Sequence, residues 1–326
     1  MTEKKKHHFV PKSYLSSFCA EDGMLNVYKK DDPDNPFRQS PGNTGYHKRY
    51  YSQPLPDGEI DNNTLEDIFG ELETKWPAIM DRFRNDADAN DCLEDIFAFI
   101  GLQRARVPAY RDAIESMLAE HVLATTKRLN EMGQLPPTPE GFDDLLDNIQ
   151  VSIDPHQSIH IMAKMMPEMT RIFSRIGINI VRNLSGIPFL TSDNPVIWFS
   201  PASPDSQMQP YHVRPDGPVR LLFPVAPDLM IYGDTEMREQ FAENGLEYQE
   251  FDEPKVAKAW NRQICRFAYQ TVYAQEPGHE PLIKKYAALS PVLKAKPTKN
   301  KFGQLVITEF IFGKRKKKAK WKSNVD

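Results

Sequence analysis

The segment Gly177-Ile-Asn-Ile-Val-Arg-Asn183 divides the chain into a helical part and a strand-rich part. Its β-branched residues predict a buried strand. We expect it to form a hairpin with a second strand at 187–195, because the turn residues Ser185 and Gly186 lie between them. Further strands are predicted at 196–199, 219–225 and 305–312. Most of the predicted sheet therefore comes from the second half of the chain.

The residues before this segment show helical spacing instead. Apolar residues over 65–83 recur every three to four positions, and Asn63 is placed to cap this helix with Glu66 as its capping-box partner. A second helix is expected over about 92–132, bent near Pro108. Shorter helices are expected at 141–149 and 155–175.

This order of elements predicts an α+β protein. A helical layer over about 61–175 is expected to pack on a mixed or antiparallel sheet, which an early strand at 24–28 and the late strand at 305–312 would join. The stretch at 31–45 is rich in Pro, Asp, Asn and Gly and is predicted to be a loop. We expect one compact domain over 1–313, with a split near residue 176 as the alternative.

The composition is that of a globular protein, with 40% hydrophobic and 26% charged residues. The apolar runs are too short to cross a bilayer, and no apolar stretch of signal-peptide length follows the first lysines. The three cysteines are widely spaced and odd in number, which excludes a disulfide framework and a cysteine-rich zinc site. We therefore expect a cytoplasmic protein without a transmembrane segment.

Positive charge is concentrated at the end of the chain. The net charge is −4, yet the segment Lys314–Lys322 alone carries seven positive side chains, so the remainder is acidic. An acidic body argues against wrapping duplex DNA over the whole surface. We expect a disordered basic tail over 314–326, which would bind nucleic acid through Lys314–Lys322 or simply be solvated.

The first candidate for chemistry is the pair His7-His8, followed by Phe-Val-Pro. Neighbouring side chains in a strand point to opposite faces, so we expect His8 to enter a site as base or metal ligand, with His7 contacting substrate. The alternative is an exposed pair or the remnant of a tag. The motif is also similar to the His-Ile-Val-Pro start of HNH nucleases, but Asn43 and His47, the nearest partners, follow too long a loop.

The second candidate spans two predicted helices. Gln103 and Arg106 lie three residues apart and share a helix face. Glu73, on the preceding helix, would either bind a metal while Arg106 holds an anionic oxygen, or simply pair with Arg106. We assign Gln103 to substrate contact. The alternative is a structural ion pair between helices.

The third candidate is Thr191-Ser-Asp-Asn-Pro195 at the end of a predicted strand. Asp193 would be a metal ligand or an acid–base residue, with Ser192 and Asn194 contacting substrate. Asn261, a polar residue in an apolar helical stretch, is a further candidate for substrate contact. The alternatives are an Asx-turn that closes the hairpin and an Asn261 amide bonded to backbone.

Two functions remain open. The first is a metal-assisted hydrolase of phosphodiesters, in particular a nuclease, in which His8, Glu73 and Asp193 hold Mg²⁺ or Mn²⁺ and Arg106 stabilises the phosphate. The second is a non-catalytic ligand-binding or sensor protein of a bacterial defence or toxin system. No P-loop, dinucleotide glycine pattern or other nucleotide-cofactor motif is present. The hydrolase hypothesis requires the four named residues to surround one cleft.

Six segments of the chain resemble the DUF4238 family, a bacterial group of unknown function. The similar segments are His7-His-Phe-Val-Pro-Lys-Ser-Tyr-Leu-Ser-Ser-Phe18, Leu72-Glu-Thr-Lys-Trp-Pro77, Leu102-Gln-Arg-Ala-Arg106, Pro188-Phe-Leu-Thr-Ser-Asp-Asn-Pro-Val196, Phe223-Pro-Val-Ala-Pro-Asp228 and Asn261-Arg. They occur in the expected order, and the paired histidine and Ser-Asp-Asn-Pro are the most specific. The resemblance implies a bacterial, intracellular protein and brings no established activity.

Overall fold

The structure is a computed structural model that describes residues 4–137, 139–142, 144–162, 165–300 and 303–315. Its α-helices are α1 (Lys12–Ser16), α2 (Thr64–Arg84), α3 (Leu93–Ala105), α4 (Pro108–Glu131), α5 (Leu145–Asn148), α6 (Pro155–Met162), α7 (Met165–Phe173), α8 (Arg238–Asn244), α9 (Pro254–Phe267) and α10 (Glu280–Lys285). Its strands are β1 (Lys6–His8), β2 (Leu25–Lys29), β3 (Asp32–Gln39), β4 (Tyr46–Lys48), β5 (Gln53–Pro54), β6 (Ile60–Asp61), β7 (Gly177–Asn183), β8 (Thr191–Ser192), β9 (Ile197–Phe199), β10 (Arg220–Ala226), β11 (Leu229–Asp234), β12 (Glu247–Phe251), β13 (Thr271–Ala274), β14 (Ser290–Asn300) and β15 (Gly303–Gly313).

The largest sheet has five strands in the order β12-β7-β11-β10-β9. β12 runs parallel to β7, and the other pairs are antiparallel. The helices of the middle of the chain pack on this sheet: Trp76 of α2 stacks on Phe99 of α3 at 3.9 Å between ring centroids, and Phe223 of β10 lies 6.1 Å from Trp76. The predicted α+β class, with a mixed sheet from the second half, is confirmed.

The predicted hairpin over 177–195 is wrong. β7 forms as predicted, but both of its edges are occupied by β11 and β12, and β8 pairs with β13 in a second sheet of order β3-β2-β13-β8. The side chain of Asn183 explains the departure, because it donates to the carbonyl of Ile187 (2.7 Å) and accepts from the N–H of Ser185 (3.0 Å). This tight turn directs the chain out of the first sheet.

One strand near the start of the chain and one near its end also differ from the prediction. The predicted loop at 31–45 contains β3, which pairs with β2 from Leu25↔Gln39 onward. β3 is an edge strand, where Pro33 and Pro36 are tolerated because an edge leaves N–H positions unpaired. The predicted strand at 305–312 is present in β15, but β15 pairs with β14 and not with β2.

The predicted long helix over 92–132 is interrupted. Val107 is extended (φ −73°, ψ 149°) and Pro108 begins α4, so α3 and α4 are separate helices. Proline disfavours the helical conformation of the residue before it and is well suited to the first helical position. The helix predicted at 155–175 is present as α6 and α7, on either side of residues 163 and 164, which lie outside the described part.

The start of α2 is capped differently from the prediction. Asn63 occupies the cap position, but its side chain makes no capping hydrogen bond. Asp61 performs this role, because its Oδ1 accepts from the N–H groups of Asn63 (2.9 Å) and Thr64 (3.0 Å). Glu66 therefore does not form the predicted capping box with the side chain of Asn63.

One hydrophobic cluster extends from Phe9 to Ile283 and includes residues on both sides of position 176. At the start of the predicted basic tail, Arg315 donates to the carbonyl of Tyr269 and to Ser290 Oγ and forms an ion pair with Asp31. The rest of that tail, 316–326, lies outside the described residues. None of the described helices has the length and apolar character needed to cross a membrane.

Candidate functional site

The pairing of β1 with β4 positions the two histidines, with His7 opposite His47 and His8 opposite Tyr46. Gly45 precedes β4 at a φ of 64°, a conformation that favours glycine. Its carbonyl accepts hydrogen bonds from the N–H groups of residues 9 (2.9 Å) and 10 (3.1 Å), which hold the chain as it leaves β1. Strand alternation then directs His7 and His8 to different environments.

His7 is fully buried, so the alternative of an exposed pair does not apply. Its Nδ1 accepts from the N–H of Tyr51 (2.8 Å), and its Nε2 donates to the carbonyl of Lys4 (2.9 Å). The ring also stacks on that of Tyr51 at 5.8 Å. Because both ring nitrogens are bonded to backbone, His7 ties β1 to the segment after β4 and has no nitrogen left for a ligand.

His8 is half-buried, and its Nε2 is buried without a hydrogen-bond partner. Burial lowers the pKa of His8, the negative charge of Glu73 opposes this shift, and the positive charge of Arg106 adds to it. The imidazole is therefore neutral at neutral pH. A neutral imidazole with an unpartnered nitrogen is able to accept a proton.

Glu73 and Arg106 form the ion pair that the spacing predicts, with 2.7 Å between Oε1 and Nη1. The side chain of Arg106 is 0% exposed and that of Glu73 is 25% exposed. Nε and Nη2 of Arg106 have no hydrogen-bond partner. These two nitrogens form one edge of the guanidinium, the edge that binds two oxygens of a phosphate or carboxylate at once.

Gln103 lies one helical turn before Arg106 and is fully buried. Neither its Oε1 nor its Nε2 has a hydrogen-bond partner. Buried polar atoms in folded proteins are nearly always bonded to protein or water, so unpartnered ones indicate a place for a polar ligand. We call His8, Glu73, Gln103 and Arg106 the histidine–arginine cluster.

Two residues near this cluster were missed by reasoning from the sequence. Glu66 precedes Glu73 by seven residues, two turns of α2, and therefore lies on the same face. Burial raises the pKa of Glu66 to about 7, with Arg106 opposing and Glu73 reinforcing the shift. The hydroxyl of Tyr51 donates to the carbonyl of Arg106 (3.0 Å). The seven-residue spacing was the available signal for Glu66.

The raised pKa of Glu66 predicts a pH-dependent stability difference. Between pH 4.5 and about 7 the native state keeps the proton of Glu66, whereas the unfolded state has released it. The contribution of Glu66 to the free energy of unfolding is therefore complete below pH 4.5 and is lost as the pH rises through about 7. Glu66→Gln keeps a neutral side chain throughout. We expect its Tm relative to wild type to increase from about pH 5 to about pH 8 by on the order of 2 °C, after solvent screening.

Calorimetry of both proteins at the two pH values measures this difference. Glu71→Gln is the matched control, because Glu71 is an exposed glutamate of the same helix. A Tm difference for Glu66→Gln that stays constant between the two pH values would contradict the assignment of the raised pKa to Glu66.

The carboxylate of Asp193 is buried and bonded to backbone. Oδ1 accepts from the N–H of Tyr269 (2.8 Å), and Oδ2 accepts from those of Gln270 (2.7 Å) and Thr271 (3.1 Å). Burial raises the pKa of Asp193 to about 6, while these N–H donors and the charge of Lys30 oppose the shift. Asp193 therefore caps the backbone between α9 and β13.

Ser192 and Asn194 are also bonded within the protein. Ser192 Oγ accepts from the N–H of Asn194 (3.1 Å). Nδ2 of Asn194 donates to the hydroxyl of Tyr211 (2.5 Å) and to the carbonyl of Phe267 (2.8 Å), whereas its Oδ1 is buried without a partner. The Ser-Asp-Asn segment thus joins β8 to the end of α9.

Asn261 follows the structural alternative. Its Oδ1 accepts from the N–H of Leu190 (2.9 Å), and its Nδ2 donates to the carbonyl of Pro188 (2.8 Å). Both ends of the amide are therefore bonded to backbone. This side chain fastens α9 to the segment that leads into β8.

The structure divides the predicted site residues into two groups. His8, Glu73, Gln103 and Arg106 belong to the histidine–arginine cluster, with His7 behind it. Ser192, Asp193, Asn194 and Asn261 lie around β8 and α9, and among the described residues no hydrogen bond or ion pair joins them to His8, Glu73 or Arg106. Backbone N–H groups hold both oxygens of Asp193, and the convergence of the four residues on one cleft stays a prediction.

The predicted metal ligands divide in the same way. Within the described ranges, no three His, Cys, Asp or Glu side chains are grouped so that they could hold a metal ion. His8 and Glu73 lie within electrostatic reach of each other, while the charges that act on Asp193 are those of Lys30 and Arg315. The cluster thus offers two of the three predicted ligands.

Comparison with known proteins gives one match. A family model described as "Protein of unknown function (DUF4238)" matches residues 6–278. No curated protein and no solved structure matches the chain. The matched residues include all the site residues discussed above and exclude the basic segment from Lys314.

Proposed function

Because the chain belongs to the DUF4238 family, whose function is unknown, we propose a function from its own residues: hydrolysis of phosphodiesters at the histidine–arginine cluster. The observation that carries the proposal is the unpartnered edge of Arg106 together with the unpartnered Nε2 of His8, whose pKa is lowered in part by the charge of Arg106. An anion that accepts from Nε and Nη2 of Arg106 would satisfy both donors. A base next to that anion is the minimal arrangement for hydrolysis.

In the proposed reaction, Arg106 binds two non-bridging oxygens of the phosphodiester. Nε2 of His8 takes a proton from a water molecule, whose oxygen forms a new bond to phosphorus while the bond to the leaving oxygen breaks. The leaving oxygen takes a proton from the carboxyl of Glu66, whose pKa burial raises to about 7. Glu73 holds Arg106 in place through the 2.7 Å ion pair, and Gln103 contacts the substrate.

A divalent ion is part of this proposal. Mg²⁺ in phosphoryl-transfer sites is commonly bound by one or two protein carboxylates together with substrate phosphate and water. The free oxygen of Glu73 is the protein ligand proposed for Mg²⁺ or Mn²⁺, because the lone pair on Nε2 of His8 is used as the base in this reaction. Asp193 is left out of this set because backbone N–H groups occupy both of its oxygens.

The test is cleavage of single-stranded and duplex DNA, of RNA, and of bis(p-nitrophenyl) phosphate. Wild type and His8→Ala are assayed side by side with Mg²⁺, with Mn²⁺ and with chelator. We expect turnover by wild type that His8→Ala lacks. Equal cleavage by both proteins, or none by wild type, overturns the proposal. Binding of these compounds without turnover would favour the alternative, a ligand-binding or sensor protein.

We propose in addition that the basic segment Lys314–Lys322 binds the nucleic-acid substrate by charge. Removal of residues 316–326 deletes five of its seven positive side chains and keeps Arg315, which contacts Tyr269 and Ser290. We expect the truncated protein to bind DNA more weakly and with less dependence on salt, by about 0.9 in the log–log slope for each lost phosphate contact. Fluorescence anisotropy across a salt series measures the slope, and an unchanged slope contradicts this role.

A further inference from the structure

Arg104 is a buried cation that the proposed reaction does not use. It lies two residues before Arg106, which places it about 200° around the helix and so on nearly the opposite side. Its side chain is 1% exposed, and its Nε and Nη1 have no hydrogen-bond partner. Among the described residues, no carboxylate forms an ion pair with it. Burying a charge without a counter-charge is unfavourable, and a guanidinium does not become neutral by losing its proton.

Three aromatic rings surround this guanidinium. Its Cζ lies 3.8 Å from the ring centroid of Tyr211 and 5.2 Å from those of Tyr110 and Trp198. Ring faces attract a cation, but they carry no net negative charge to balance it. Tyr211 itself has a φ of 59°, a left-handed conformation that a tyrosine rarely adopts. Backbone held in such a conformation clusters at ligand sites.

Two further unpartnered polar atoms lie around the same ring. Nε1 of Trp198 is a buried donor without a partner, and this indole packs against Tyr211 at 4.7 Å between centroids. Oδ1 of Asn194 is a buried acceptor without a partner, and the same amide donates to the Tyr211 hydroxyl through Nδ2. The donors Nε of Arg104 and Nε1 of Trp198, with the acceptor Oδ1 of Asn194, match hydrogen phosphate, whose bare oxygens accept and whose P–OH donates.

We propose that Arg104, Trp198 and Asn194 bind a phosphate group around the ring of Tyr211, at a second site distinct from the histidine–arginine cluster. The phosphate supplies the missing counter-charge of Arg104 and accepts from its Nε and from Nε1 of Trp198. Its hydroxyl donates to Oδ1 of Asn194. This binding does not depend on hydrolysis at the cluster.

Thermal unfolding and titration calorimetry of the full chain test this site. The probes are inorganic phosphate and a nucleoside 5′-monophosphate, each compared with sodium chloride of equal ionic strength and with the nucleoside alone. We expect the Tm of wild type to rise with phosphate concentration in the manner of a saturable ligand. Arg104→Met, which replaces the cation by an apolar side chain that a buried site tolerates, is expected to weaken binding by at least about tenfold.

Two more variants separate the outcomes. Trp198→Phe keeps the ring and removes Nε1, and weaker phosphate binding is expected even if Arg104→Met does not fold. His8→Ala is expected to bind phosphate at this site as wild type does. Saturable binding of either phosphate probe that is weakened in Arg104→Met or Trp198→Phe supports the proposal. Tighter binding of inorganic phosphate identifies free phosphate as the ligand, and tighter binding of the nucleoside 5′-monophosphate identifies a phosphate ester. Binding that is unchanged in both variants, absent in wild type, or equal for the nucleoside overturns it.

Discussion

His8→Ala is expected to hydrolyse phosphodiesters about 10²–10⁴-fold more slowly than wild type, the usual loss when a general base is removed. The loss should appear in kcat, because Arg106 and Gln103 still bind the substrate. His8 makes no hydrogen bond through Nε2, so its removal leaves no backbone group unpaired and should preserve the fold. Single-turnover rates together with circular dichroism measure both effects.

A matched control is His121→Ala, since His121 is an exposed histidine of α4. We expect its rate to equal that of wild type. The pH profile of wild type should fall on the acid side as His8 is protonated, below the ordinary value of 6.5 because burial lowers its pKa. It should also fall above about 7 as Glu66 loses its proton. A rate for His8→Ala within a factor of about two of wild type would be incompatible with His8 as the base.

Asp193→Ala is expected to lower the free energy of unfolding by about 3–5 kcal/mol, the range for breaking a buried ionic interaction. The substitution leaves the N–H groups of Tyr269, Gln270 and Thr271 without an acceptor. It also removes the negative charge that faces Lys30, whose pKa burial lowers to about 7. Urea unfolding should show a lower midpoint with an unchanged m-value.

Asp228→Ala is the control for this stability prediction. Asp228 is 57% exposed and lies 3.7 Å from Arg182, so its loss should cost less than about 1 kcal/mol. In the double variant Asp193→Ala with Lys30→Met, little of the lost stability should return, because the carbonyls of Cys265 and Ala268 lose the Nζ donor of Lys30 (3.0 and 2.8 Å). A midpoint for Asp193→Ala close to that of Asp228→Ala would show that the three backbone hydrogen bonds are not important for stability.

The sequence allowed the local features of the fold to be predicted better than the pairing of strands. β7 was predicted because a short segment rich in β-branched residues favours a buried strand over a helix. Its partners were not, since pairing with β11 and β12 depends on residues that are distant in the sequence. β3 was missed because Pro33 and Pro36 indicate a loop unless the strand is known to lie at an edge.

The same distinction holds for the site. Glu73 and Arg106 could be paired from the sequence, because adjacent helices bring charged residues of neighbouring turns together. The position of Asp193 could not be predicted, since it depends on β8 joining the sheet of β13 instead of that of β7. Burial was the other unknown: the pKa shifts of Glu66 and His8 follow from desolvation, which no spacing in the sequence reports.

Because the helix is broken at Val107, between α3 and α4, the last turn of α3 is able to move as a unit. Arg104 and Arg106 are carried by one helical turn, so a rotation of that turn displaces both guanidinium groups together. Thermodynamic linkage then requires reciprocity: if phosphate at Arg104 changes the affinity of the histidine–arginine cluster for its anion, that anion changes phosphate affinity by the same factor. A single turn of helix would in that case serve as the shared element of a two-site binding equilibrium.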